Sequence, residues 1–220
     1  MRTLKKLTSH RHFVNLSAAL SLAALCVSAL AQSTVARAEA PKYKVGDQFR
    51  RELRDRWTGL KEAGWVGVVT AVNDSYIEGT FIEIEGTWKG GPYRMTTSLQ
   101  LVDYPGGTNS GSAKFADFPL ELGKKWNYDS EWSNKITGMN GRYHYKMSVV
   151  AYETIKVRAG EFEAFKVEGR GSYQNLTVGR QGRASITYWY APAVRAIVKS
   201  EYDDGRDREI RELVEVKLHP

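Results

Sequence analysis

The sequence predicts an all-β protein: an antiparallel sandwich or a curved, partly closed barrel of about nine to ten strands that follows an N-terminal signal peptide. Two observations carry this prediction. After residue 41, apolar and polar side chains alternate with a period of two, and helical spacing of apolar residues is nearly absent. Turn-forming Asn, Asp and Gly residues recur about every ten to fifteen residues, as expected for tight connections between strands.

Each predicted strand is a stretch of alternation bounded by turn residues. The clearest is 142–157, where Tyr143, Tyr145 and Met147 share one face. In the last strand the apolar residues Ile210, Val214, Val216 and Leu218 are predicted to lie opposite Arg211, Glu215 and Lys217. In chain order, the predicted strands lie near residues 47–57, 64–72, 75–86, 93–102, 125–136, 142–157, 162–174, 184–190, 194–202 and 208–218.

The first 31 residues have the layout of a signal peptide: a basic start, MRTLKKLTSHRHF, then an apolar run that ends in Ala29-Leu30-Ala31. Cleavage is predicted after Ala31, with Ala40 as the less favoured site. Residues 32–41 would then be a short linker and 42–220 a single β domain. The predicted location is the periplasm or the exterior of a bacterial cell, with membrane contact only through the signal segment if it stays uncleaved.

Two alternatives remain for this segment. The apolar run approaches the ~20 residues of a membrane-spanning helix, so a retained anchor is possible. Lipidation at Cys26 is the other, although Leu25 stands where a lipobox has a small residue.

The composition of the exported chain excludes several classes of protein. Four basic residues leave with the signal peptide, so 28 basic residues (32 − 4) face 25 acidic ones, a net charge of +3. The two signs alternate along the chain, which argues against nucleic-acid binding. Cys26 is the single cysteine and also leaves, so no disulfide can form and stability must come from the core.

No motif for catalysis or for a metal is present, and no cofactor is predicted. Only His144 and His219 remain after processing, too few for a zinc or copper site. The sequence lacks G-x-S-x-G and a P-loop, and the Gly-rich stretch 106–115 is predicted to be a flexible surface loop. A pair of carboxylates for glycoside hydrolysis remains an alternative, because the sequence does not give the distance between two acidic side chains. Whether the protein is an enzyme is therefore uncertain, with a non-enzyme favoured.

Aromatic residues supply the candidate ligand-binding face. Trp126, Tyr128 and Trp132 share one parity in the stretch WNYDSEW. The simpler interpretation is that they are core; the sharper one is an aromatic platform for a lipid, an acyl chain or a glycan. The predicted ligand-binding residues are Trp126, Tyr128, Trp132, Tyr145, Tyr188 and Trp189.

The segments GDQF, FPLELGKKW, VRAGEFEAFKVEG and TYWYAPAVRAIVKSEY together resemble the TapB-like exported bacterial β-proteins, which carry a domain of unknown function. The resemblance spans most of residues 42–218 and is strongest from residue 118. It implies an all-β periplasmic or surface domain of unassigned activity and transfers no catalytic residue.

Residues 43–57 and residues 120–132 show a weak internal sequence similarity. Gly46 aligns with Gly123 and Phe49 with Trp126, which predicts two related halves, about 42–117 and 118–220, whose strands near 48–56 and 125–132 occupy equivalent places.

The function predicted from the sequence is an exported, non-enzymatic envelope domain that binds a hydrophobic or glycan ligand on an aromatic-lined concave face. The alternatives are a structural or protein-interaction module with an envelope protein partner and no small ligand, and an unrecognised hydrolase.

Overall fold

The computed structural model describes residues 36–86 and 89–220. The predicted signal peptide and its cleavage site after Ala31 lie outside the described residues. Within the described ranges, no helix has the length and apolar character needed to cross a membrane.

The fold is all-β, as predicted, and its main sheet is a closed antiparallel barrel. Twelve strands form the barrel in the order β10-β11-β12-β13-β14-β2-β3-β4-β5-β6-β7-β9, and strand β1 pairs with β8 in a separate two-stranded sheet. The strands are β1 Arg37–Ala38, β2 Gln48–Asp55, β3 Lys61–Val72, β4 Tyr76–Glu85, β5 Gly91–Thr96, β6 Leu101–Tyr104, β7 Gly107–Asn109, β8 Leu120–Glu121, β9 Lys125–Asn134, β10 Asn140–Val157, β11 Gly160–Asn175, β12 Arg180–Ala191, β13 Ala196–Asp203 and β14 Arg208–Lys217.

The barrel has more strands than the sequence predicted because two short ones lack a clear alternation. The predicted strand 93–102 is divided into β5 and β6 by a tight turn, where the Leu99 amide donates to the Thr96 carbonyl at 3.0 Å. The Gly-rich stretch is not a surface loop, since its first residues form β7. A Cβ atom at Gly107 would lie 2.3 Å from the Ser133 carbonyl oxygen, so glycine is what allows β7 to approach β9.

Glycines inside the barrel lie opposite aromatic side chains on the neighbouring strand. Gly141 pairs with Trp132, and Gly171 pairs with Tyr145. A Cβ at Gly141 would lie 2.5 Å from the Trp132 ring, and one at Gly171 would lie 1.8 Å from the His144 carbonyl oxygen. The missing Cβ atom leaves room for the Trp132 ring at Gly141 and for the close approach of β10 to β11 at Gly171.

One end of the barrel, the plugged end, is filled by residues 110–124, which are called here the plug segment. Ala116 and Leu120 in this segment are fully buried, and the Phe118 ring packs edge-on against Tyr190 at 5.1 Å. Strand β1 covers the segment by pairing with Leu120–Glu121, so part of the predicted linker 32–41 is paired β structure.

Asp47 links the segment before strand β2 to the C-terminal segment at the plugged end. Its carboxylate is fully buried and accepts hydrogen bonds from the backbone amides of Lys44 and His219, each at 2.9 Å, and from the Arg195 guanidinium at 3.4 Å. The other end, the open end, carries the hairpin connections 134–140, 175–180 and 203–208.

Strands β2 and β9 begin in matching settings. The Gly46 amide donates to the Val69 carbonyl at 2.8 Å, and the Gly123 amide donates to the Val149 carbonyl at 2.9 Å. In both places the valine amide donates a hydrogen bond to the carbonyl of the residue after the glycine. A β-bulge follows the valine in each case. Each of the two strands starts a run of six barrel strands, β2–β7 and β9–β14.

Candidate functional site

The barrel interior contains a cavity of about 520 Å³ at the open end. This volume is in the range of small-molecule sites, about 300–1,000 Å³. Seven aromatic residues form most of its wall: Phe115, Tyr128, Trp132, Tyr143, Tyr145, Tyr173 and Tyr202. Seven polar or charged residues lie nearer the mouth: Asn175, Arg180, Asp204, Arg206, Asp207, Glu209 and Arg211. Met139 and Ile186 complete the lining.

Five of the rings form a continuous row from the mouth to the floor. The ring centroids of Trp132 and Tyr143 are 6.1 Å apart, those of Tyr143 and Tyr145 5.8 Å, and those of Tyr145 and Tyr128 5.9 Å. Phe115 then meets Tyr128 edge-on at 5.7 Å. The register of β9 with β10 produces this row, because inward residues of the two strands alternate across one ladder.

Phe115 forms the floor and is supplied by the plug segment. Its ring stacks on Tyr188 at 5.0 Å, and its backbone carbonyl accepts a 2.9 Å hydrogen bond from the Tyr188 hydroxyl. The floor of the cavity is therefore fixed to the barrel core by two contacts with Tyr188, a ring stack and a hydrogen bond.

Three polar atoms of the lining residues are buried without a hydrogen bond of good geometry in the protein: the indole nitrogen of Trp132, the hydroxyl of Tyr145, which approaches only the Tyr202 hydroxyl, and Nε of Arg211. Indole and guanidinium nitrogens can only donate, and a tyrosine hydroxyl can donate or accept. Each buried group left unpaired costs about 1–3 kcal/mol. Tyr145 is 3% exposed, so solvent at the barrel surface does not reach its ring.

Burial keeps the cavity tyrosines protonated. Desolvation raises the pKa of Tyr143 to about 12 and raises the pKa values of Tyr128, Tyr145 and Tyr202 above their ordinary range. The Arg211 guanidinium offsets part of the rise in the pKa of Tyr143. All four side chains are therefore neutral hydroxyl groups at physiological pH.

The mouth carries charges of both signs. Arg211 donates to the Glu209 carboxylate at 2.5 Å, and the Tyr202 hydroxyl donates to Asp204 at 3.2 Å. Burial, together with the neighbouring carboxylates of Asp204 and Glu209, raises the pKa of Asp207. Three arginines and three carboxylates line the cavity, so their formal charges cancel.

Three of the six predicted binding residues line the cavity: Tyr128, Trp132 and Tyr145. Trp126 lies on the same inward face but packs against the plug segment, where its indole nitrogen donates to the Lys114 carbonyl at 3.0 Å. Tyr188 is fully buried beneath Phe115.

Trp189 lies on the face of β12 opposite to Tyr188 and does not line the cavity. The Lys166 and Lys199 ammonium groups lie 5.4 and 5.1 Å from its ring, and its indole nitrogen donates to Glu153 at 2.8 Å. The alternation of side chains along a strand separates Trp189 from its neighbours Tyr188 and Tyr190.

Sequence reasoning did not select Tyr143, Tyr173, Tyr202 or Arg211. The first three sit at inward positions, and the shared parity of Tyr143 with Tyr145 was a usable signal. Arg211 was expected on the polar face of the last strand, and that prediction was wrong. A bulge between Leu213 and Glu215 reverses the inward face along β14, so that Arg211 and Leu213 point inward before it and Val216 after it.

Among the described lining residues, carboxylates and tyrosine hydroxyls are the acidic groups that the cavity contains. None of the described lining residues is a serine, cysteine, threonine, histidine or lysine. What the lining offers is aromatic surface, unpaired donors and carboxylate acceptors.

Two solved structures share this fold. A candidate lipoprotein from Parabacteroides distasonis superposes with a TM-score of 0.59 at 14% identity, covering 82% of this chain and 99% of that one. A candidate exported protein from Bacteroides fragilis, described as having a YmcC-like fold, superposes with a TM-score of 0.56 at 17% identity, with the same coverage of 82% and 99%. No protein-family model and no curated protein matches the sequence.

Proposed function

We infer that this is an exported protein of the bacterial envelope whose barrel binds a small ligand, hydrophobic or glycan, in the cavity at its open end. The observation that carries the proposal is the set of three buried polar atoms, on Trp132, Tyr145 and Arg211, that line the cavity without a protein partner.

Export is supported by the basic start, the apolar run and Ala29-Leu30-Ala31 at the N-terminus. The two proteins of similar fold are described as a candidate lipoprotein and a candidate exported protein, which agrees with this location. Cleavage after Ala31 is favoured over Ala40, because cleavage after Ala40 would remove strand β1 and the buried Ala38. Membership of the TapB-like proteins is part of the proposal and rests on the motifs between residues 118 and 202.

Ligand binding is supported by energetics. The free protein bears the cost of three unpaired polar groups, about 1–3 kcal/mol each, and a ligand with matching polar atoms would recover much of it. The rings around these groups supply apolar contact area that is already ordered, so little conformational entropy is lost on binding.

The alternatives receive less support. A protein-interaction module that pairs through an exposed edge strand is disfavoured because the main sheet, within the described residues, closes on itself. An unrecognised hydrolase would have to act through the carboxylates at the mouth or the tyrosine hydroxyls, because the described lining contains no serine, cysteine, histidine or lysine.

The test is native mass spectrometry of the mature protein purified from a bacterial periplasm, before and after incubation with lipid and glycan extracts. A stoichiometric adduct is expected in the wild-type protein and should be depleted in Trp132→Phe, which removes one unpaired donor. Trp189→Phe is the matched control, because that tryptophan lies on the opposite face of the wall and should leave the adduct unchanged. A bare mass under every condition would refute the proposal.

A further inference from the structure

The cavity wall is poor in the side chains that hold an acyl chain. Met139 and Ile186 are its only aliphatic members among the described residues, whereas five of its seven aromatic residues are tyrosines. A hydrocarbon chain would also leave the three unpaired groups of Trp132, Tyr145 and Arg211 without partners. A purely aliphatic ligand therefore gains little from this site.

The charges of the lining do not select an anion or a cation. The three arginines are matched by three carboxylates, and Arg211 is already paired with Glu209 at 2.5 Å. Taking a net charge out of water into such a cavity would not be compensated. A neutral ligand is the better fit.

The polar atoms of the cavity lining match a ligand that both accepts and donates hydrogen bonds. The Trp132 and Arg211 nitrogens need acceptors, whereas the carboxylates of Asp207 and Glu209 at the mouth can accept further hydrogen bonds from a donor. Hydroxyl groups do both. At the mouth end of the row, the half-buried rings of Trp132 and Tyr143 add flat apolar surface, which suits a ligand made of linked rings.

We propose that the cavity binds a neutral oligosaccharide, with pyranose faces stacked on the half-buried rings of Trp132 and Tyr143 and hydroxyl groups bonded to Trp132, Tyr145 and Arg211. The free sugar and the sugar head of a glycolipid share this chemistry. The inference rests on the proposed function and narrows its ligand to one class.

The test is isothermal titration calorimetry on the mature protein with defined probes: the trisaccharides cellotriose, maltotriose, mannotriose and tri-N-acetylchitotriose, the monosaccharide of the best-binding type and its octyl glycoside below the micellar concentration, and palmitate as the acyl-chain probe. At least one trisaccharide is expected to bind, and Tyr145→Phe should weaken its binding about five- to tenfold by removing one hydrogen bond. Trp189→Phe should bind it like the wild-type protein. Tighter binding of the octyl glycoside than of the same monosaccharide would identify a glycolipid as the source, and equal binding would identify the free sugar.

Three results would overturn the proposal, and they separate it from the function it rests on. If palmitate binds and no saccharide does, the cavity is a ligand site of another class and only the saccharide assignment fails. If no probe binds and the periplasmic protein carries no adduct, the proposed function fails with it. Saccharide binding that Tyr145→Phe leaves unchanged would place the sugar elsewhere and also refute the assignment.

Discussion

Two buried tyrosines provide a direct test of the unpaired hydroxyl in the cavity. Tyr145 and Tyr188 are 3% and 0% exposed, and both lose only a hydroxyl group when replaced by phenylalanine. The Tyr188 hydroxyl donates to the Phe115 carbonyl at 2.9 Å, whereas the Tyr145 hydroxyl approaches only the Tyr202 hydroxyl, outside good hydrogen-bond geometry. The two substitutions should therefore change the free energy of unfolding in different ways.

Tyr188→Phe should destabilise the protein, because it removes a hydrogen bond and leaves a carbonyl unpaired. The expected loss is about 1–3 kcal/mol. At about 2–4 °C per kcal/mol for a chain of this length, the midpoint of thermal unfolding should fall by several degrees. Tyr145→Phe removes a group that is already unpaired, so the free energy of unfolding should stay unchanged or rise by about 1 kcal/mol.

Urea unfolding of the ligand-free protein, followed by tryptophan fluorescence, measures both values. The slope of the unfolding free energy with urea should be the same in both variants, so that the shift in midpoint reports stability alone. An equal loss in Tyr145→Phe and Tyr188→Phe would show that the Tyr145 hydroxyl is hydrogen-bonded in the free protein. The cavity lining would then contain two unpaired polar groups rather than three.

Three further predictions concern the rest of the barrel. Asp47→Ala should cost about 3–5 kcal/mol in urea unfolding, because it leaves buried amide and guanidinium donors unpaired at the plugged end; a loss below about 1 kcal/mol would contradict the role of this carboxylate. Gly171→Ala should destabilise the protein by about 1–3 kcal/mol or more, since its Cβ would lie 1.8 Å from a backbone oxygen. Gly111→Ala, with its nearest contact at 3.7 Å, should be nearly neutral. Equal effects of the two substitutions would count against the close approach of the strands. Stability should fall as the pH rises above about 10, because burial raises the pKa of Tyr143 to about 12 and the folded state then binds more protons than the unfolded one. Tyrosine absorbance at 295 nm and circular dichroism, recorded together, should show late ionisation that coincides with unfolding. Full ionisation of all tyrosines in a folded protein would refute this prediction.

Part of the site was visible in the sequence because strand parity is a local property. Trp126, Tyr128 and Trp132 share a parity within one strand, and the structure places all three on its inward face. Parity does not say how far along the barrel axis a side chain lies. Trp126 meets the plug segment and Trp132 meets the cavity, and only the course of residues 110–124 decides between these two environments.

Arg211 shows where local patterns fail. The residues around it alternate regularly, yet one extra residue in the ladder between β14 and β2 exchanges the inward and outward faces. A bulge depends on the partner strand, here about 160 residues earlier in the chain, and so it leaves no clear mark in the sequence of β14 itself.

The sequence by itself determined the all-β class, most of the strands, and which aromatic side chains share a face, because each of these follows from a period-two pattern within a few neighbouring residues. The tertiary structure decided closure, the plug and the cavity. Closure requires β14 to pair with β2 and β9 with both β7 and β10, and the plug segment has no periodicity at all. These contacts join residues far apart in the chain, and their free energy comes from burial and hydrogen bonding that exist only once the barrel has formed.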